Sequence, residues 1–128
     1  VKILLAPAET KNEGGTKSPL CKENFKFQEL FTYQEEILKL YENHIHTLSL
    51  EKLSQWFGLK NLKEVEKYQQ SVYTQPTMKA IQRYNGVAFD ALEYASLPKQ
   101  TQKYIDDNVI LFSNLFGVLS ASDLNYQY

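Results

Sequence analysis

The chain has 128 residues, enough for one domain with a sizeable core and too few for two. Hydrophobic residues make up 43% and aromatics 13%, with nine Tyr and seven Phe, which excludes a disordered chain. A formal charge of -1 provides no global field toward nucleic acid or an anionic membrane, so any anion site must be local.

Ile3-Leu4-Leu5 is a continuous apolar run closed by Pro7, which predicts a strand buried on both faces of a parallel or mixed sheet. From Glu9 to Lys22 the composition changes to Thr, Lys, Asn, Gly-Gly, Ser and Pro, the make-up of a long loop, and long loops in small domains are often functional. Phe27, Leu30, Phe31, Leu38 and Tyr41 recur at helical spacing, with Glu29, Glu35, Glu36, Lys39 and Glu42 on the other faces. Ser49 predicts the N-cap of a second helix running to Gly58, and Asn61 with Glu64 forms a loose capping box opening a third toward Tyr68. Pro76 breaks the chain.

Thr77 predicts the cap of a short helix carrying Met78, Ile81 and Tyr84, ended by Asn85-Gly86. Val87 to Leu97 is ambiguous, with Asp90 to Glu93 leaning to helix. Pro98 stands early in another helix through Ile105, and Val109 to Phe112 reads as a second buried strand. After Gly117-Val118-Leu119 the signals fade toward Asn125-Tyr126-Gln127-Tyr128, and no internal repeat appears. The longest apolar runs fall far below the roughly 20 residues of a membrane span, and Lys2 to Ala8 does not form a signal peptide. The expected class is α+β or mixed α/β, helix-rich with a few buried strands, and the lone Cys21 fits the cytoplasm.

Local charge is uneven. Residues 1–28 carry net +2 and residues 60–83 net +3, whereas 29–59 and 84–128 each carry -3. The loop Glu9-Thr10-Lys11-Asn12-Glu13-Gly14-Gly15 follows the first strand, where α/β proteins often place ligands, and Lys11 beside Gly14-Gly15 suits phosphate without forming a Walker sequence. Lys60, Lys63, Lys67, Lys79 and Arg83, interleaved with Tyr68, Tyr73 and Tyr84, have the ingredients of a nucleic-acid surface and equally of a solvated helix face. His44 and His46 diverge on a helix and find no third ligand, so no metal is expected; adjacent Asp106-Asp107 and Glu35-Glu36 likewise make no acid/base dyad.

Three ordered blocks together resemble the YaaA family of bacterial peroxide-stress proteins. Leu4-Leu5-Ala6-Pro7-Ala8-Glu9-Thr10-Lys11 with Gly14-Gly15 looks like the family's opening strand and Pro-Ser/Ala-Glu-Thr-Lys loop. Arg83-Tyr84-Asn85-Gly86-Val87-Ala88-Phe89-Asp90-Ala91-Leu92 is similar to its Arg-Tyr-x-Gly-Val-x-Tyr-Asp-Ala-Leu stretch, with Phe89 in place of Tyr. Val109 to Leu119 followed by Asp123-Leu124 resembles its second apolar strand and Gly-Val-Leu turn, although Asn114 replaces a usual Gly and Ser120 a usual Arg. Family members are about twice this length, so residues 1–128 are expected to be the amino-terminal portion of a larger single-domain fold.

The resemblance implies a cytoplasmic protein of the oxidative stress response that limits free intracellular iron. It also implies sequence-nonspecific DNA binding through a basic cleft and a helix-hairpin-helix-like turn. Lys11, Lys17, Lys79 and Arg83 are the expected phosphate contacts, with Gly86 and Gly117 in hydrophobic-Gly-hydrophobic turns of the kind such a hairpin uses. Glu9, Thr10, Gly14, Gly15 and Asp90 complete the family-motif loop; no cofactor is expected, and DNA is the expected partner. The alternative is an enzyme in which Glu9, Lys11 and Asp90 converge on a small phosphorylated or nucleotide substrate after strand one. A protein-partner domain is the third class.

Overall fold

In the computed structural model, which describes residues 1–125, capping chemistry sets several of the helices. Ser49 accepts the Lys52 N–H and Gly58 closes the helix at φ 69°, bounding α2 over Leu50–Phe57. Asn61 caps α3 (Leu62–Lys67) through the Lys63 N–H. The helix predicted around Phe27 to Tyr41 runs longer, as α1 (Gln28–Thr47), with Phe31, Leu38 and Ile45 forming its buried stripe at sevenfold spacing. The ambiguous stretch resolves into α5 (Val87–Leu92) and a 3-10 turn at Tyr94–Ser96, and Pro98 stands before α6 (Lys99–Asn108). Tyr126, Gln127 and Tyr128, the end of the predicted tail, lie outside the described residues.

Strands β1 (Ile3–Leu5), β3 (Val109–Ser113) and β4 (Gly117–Ser120) form one sheet in the order β1-β3-β4, parallel between the first pair and antiparallel between the second. Registers Leu5↔Leu111 and Leu111↔Leu119 line up one face, which closes against α1 in a core that includes Phe25, Phe31, Leu38 and Phe116. The opposite face carries Leu4, Ile110, Phe112 and Val118 and stays partly open, with Leu4 66% and Phe112 43% exposed. This corrects the expectation that the first strand is buried on both faces and the second buried throughout. A continuous apolar run reports what a sheet face would favour, and coverage depends on which elements pack against it.

The short helix predicted from Thr77 is also corrected. Met78–Lys79 is a strand, β2, paired antiparallel with β5 (Leu124–Asn125), and only Ala80–Arg83 (α4) is helical. Thr77 instead pairs backbone to backbone with Lys17, and its hydroxyl donates to the Ser18 carbonyl at 2.6 Å. Pairing with a segment that is distant in sequence overrode the local capping signal. The result is a helix-rich mixed α+β fold in which a small two-stranded ribbon supplements the main sheet.

Candidate functional site

The loop after β1 is stitched along residues 77–85. The Asn85 N–H donates to the Thr10 carbonyl at 2.9 Å, the Asn12 N–H to the Arg83 carbonyl at 2.7 Å, and the Asn12 side-chain amide to the Gln82 carbonyl at 2.8 Å. Lys17 and Thr77 exchange N–H···O bonds of 3.0 and 3.3 Å. Gly15 makes this approach possible: at φ +145° its position would put a Cβ 2.5 Å from the Thr77 carbonyl oxygen. Two motif stretches some 70 residues apart in sequence, as the Asn12–Gln82 bond measures, thus become one surface.

The four predicted cations separate into two environments. Arg83 is fully buried, and its Nη1 donates to the Asn12 carbonyl at 2.7 Å while Nη2 donates to those of Asn125 at 3.0 Å and Pro76 at 3.4 Å. Burial lowers its pKa to about 10, leaving it charged at neutral pH, and the structure places it inside the fold rather than toward a bound phosphate. Lys79 donates to Asp106 at 2.7 Å and to the Tyr94 hydroxyl at 3.0 Å, and that hydroxyl donates to the second Asp106 oxygen at 2.7 Å. Burial works against the Lys79 ammonium, yet these bonds outweigh it and hold its pKa above the ordinary lysine value.

Lys11 and Lys17 belong to the surface. Lys17 is exposed, and half-buried Lys11 bonds the Glu9 carbonyl at 2.9 Å with its ammonium 6.0 Å from the Tyr84 ring centre. Partial burial lowers the Lys11 pKa, with Glu9 opposing. The two basic stretches of sequence meet here, since Lys67 of α3 pairs with Glu13 of the loop at 2.6 Å.

The two glycine turns differ. Tyr84-Asn85-Gly86 joins α4 to α5, and Gly86 is extended at φ 164°. Leu115-Phe116-Gly117-Val118 is a β-hairpin between β3 and β4, not a link between helices: the Leu115 and Phe116 N–H groups donate to Ser113 Oγ, and Gly117 takes φ +75° against Gln34. Gly14, at φ +77°, faces open space. His46 pairs with Glu42, His44 Nδ1 bonds the Leu40 carbonyl, and exposed Cys21 donates to Glu23. Among the described residues no three His, Cys, Asp or Glu side chains stand together as a metal site, and no helix is long and apolar enough to cross a membrane.

Beside the stitched loop lies a cleft of about 640 Å³ bordered by Asn12, Tyr84, Asn85, Phe89, Asp90 and Glu93. Tyr84 and Phe89 make a tilted ring pair 5.8 Å apart, and Glu93 ends α5 in the left-handed region at φ 47°. Asp90 is therefore at the cleft, with Lys11 near it through Tyr84, whereas Glu9 is not among the lining residues and meets Lys11 through its backbone carbonyl and its charge. Sequence reasoning missed Asn12, Glu93, Tyr94 and Asp106. Asn12 sits in the singled-out loop, but Asp106 lies 27 residues from Lys79, and no local spacing connects them.

The chain spans about half the length of the curated relatives it matches. It is 43% identical over 123 residues to the Campylobacter jejuni protein Cj0984, covering 96% of this chain and 50% of that one. A UPF0246 protein of Corynebacterium glutamicum is 33% identical over 122 residues, covering 94% and 46%. One from Malacoplasma penetrans is 25% identical over the same number, covering 93% and 47%. The profile described as peroxide stress protein YaaA matches residues 1–128. With that match over its whole length and both motif stretches gathered at one cleft, the chain belongs to the YaaA family of peroxide stress proteins.

Proposed function

We propose that this chain provides part of a sequence-nonspecific DNA-binding surface in a cytoplasmic protein of the peroxide stress response. The observation that carries the reading is the meeting of the two basic sequence blocks, joined by the Asn12–Arg83 backbone bond, the Lys17↔Thr77 bridge and the Lys67–Glu13 ion pair. Lys11 and Lys17, with Lys60, Lys63 and Lys67 nearby in sequence on and before α3, contact phosphates, and the α4–Gly86–α5 turn is the helix-hairpin-helix-like element. Lys79 and Arg83 act by shaping this surface from within. Restraint of free iron is proposed for the whole protein rather than for direct coordination by these residues.

Titration of a labelled duplex over a salt series tests the reading. Lys11→Ala combined with Lys17→Ala is expected to weaken binding equally for all sequences and to flatten the salt slope by about two units. An unaltered slope removes the loop from the site. The cleft, with Lys11 outside it over Tyr84 to take a phosphate, favours a second reading, an enzyme of small phosphorylated or nucleotide substrates, which requires saturable binding and turnover of such a ligand with no duplex binding.

A further inference from the structure

We infer that the cleft is a nucleobase site selective for guanine, filled by an unpaired base while the loop lysines hold its phosphate. This deepens the DNA-binding reading and rests on it. The cleft combines the partly buried ring of Phe89, backed by the buried Tyr84, with two exposed carboxylates, Asp90 and Glu93, and three side-chain amides, Asn12, Gln82 and Asn85. No Lys or Arg is among its lining residues, so its interior disfavours phosphate. The ring face instead suits a planar π system, and the carboxylates suit a ligand edge rich in N–H donors.

Guanine meets both requirements. Its Watson–Crick edge presents N1–H and N2–H side by side, a pair that one carboxylate accepts through its two oxygens. Thymine and uracil present one N–H flanked by two carbonyls, which a carboxylate repels. Asp90 lies on α5 and Glu93 at its C-terminal end, and both line the cleft. Tyr94, also in the lining, is anchored through its hydroxyl to Asp106 and Lys79. Lys11 stands outside the base pocket, its ammonium above Tyr84, where the phosphate of a base entering from the loop side would arrive.

A base of this kind reaches the cleft either from unpaired nucleic acid or as a free nucleoside, and the experiment separates the two. The full 128-residue chain is titrated with three labelled hairpins: fully paired, with one unpaired dG, and with one unpaired dT. Guanosine and uridine are tested separately by thermal shift. The unpaired dG hairpin is expected to bind about tenfold tighter than the other two, the discrimination of one bidentate contact. Asp90→Asn with Glu93→Gln, both at exposed positions, brings the ratio of dG-hairpin to paired-hairpin affinity, measured on the same variant, down to about one. Guanosine stabilising the chain, without DNA binding, keeps the cleft assignment with a free nucleoside as its source and overturns the DNA reading. Equal affinity for all three hairpins with no guanosine shift overturns the guanine site while leaving DNA binding intact.

Discussion

Arg83 and Lys17 are both cations within the basic stretches of the sequence, and the fold uses them in opposite ways. Arg83 is wholly buried and ties three backbone carbonyls from residues 12, 76 and 125 into one knot. Lys17 reaches solvent from a loop whose backbone alone is engaged with Thr77. The difference teaches that a positive residue marks a phosphate site only when its charge is left facing water; a buried guanidinium is a structural hub.

The largest test of this contrast is Arg83→Met. It keeps the apolar stem but strands the carbonyls of Asn12, Pro76 and Asn125, and it is expected to lower unfolding free energy in urea by about 4 kcal/mol. Normal stability with lost DNA binding would break the comparison by returning Arg83 to the surface. Next comes pH. Burial raises the Asp123 pKa to about 6 against the opposing N–H bonds from Lys26 and Ser120. Because the folded value lies above the unfolded one, the favourable contribution is present below about pH 4 and is lost as pH rises through about 6. The wild type should therefore lose up to about 3 kcal/mol relative to Asp123→Asn between those limits, and parallel pH profiles would show no interior anion penalty.

Asp106→Asn is expected to cost about 2 kcal/mol, because it leaves the Lys79 ammonium in its partly buried place without a counter-ion. Loss of guanosine or DNA binding without loss of stability would move Lys79 from the frame into the site. The smallest effect on folding belongs to Lys17→Ala, within about 0.5 kcal/mol, with the salt slope of duplex binding lowered by about one unit. A destabilised variant would mean that the surface lysine is structural too.

Where a structural signal is local, it is legible in the sequence. Ser49 and Gly58 bracket α2 because a hydroxyl oxygen and a residue tolerant of positive φ answer the unpaired ends of the same helix. Val109 to Phe112 is a strand because apolar, mostly β-branched and aromatic residues suit a pleated surface. Thr77 misled for a complementary reason: its hydroxyl was equally able to cap a helix or to bond Ser18, and only the docking of the loop selected the second. The open side of the sheet at Leu4 and Phe112 was illegible because coverage is a property of neighbours.

The family motifs themselves were visible as residues, and so were Lys11, Gly15, Gly86 and Asp90 as candidates. Their convergence was not. By itself the sequence determined the helix boundaries that caps announce, the apolar strands and the two basic blocks, since each depends on residues within a few positions of one another. Tertiary structure alone decided that residues 10–17 pair with 77–85, that Arg83 and Lys79 turn inward, and that Asp90 and Glu93 share a cleft with Asn12. Those outcomes depend on contacts between segments distant in sequence, 27 residues apart for Lys79 with Asp106 and 70 for Asn12 with Gln82, where the cost of closing the loop is met only by the whole packed core.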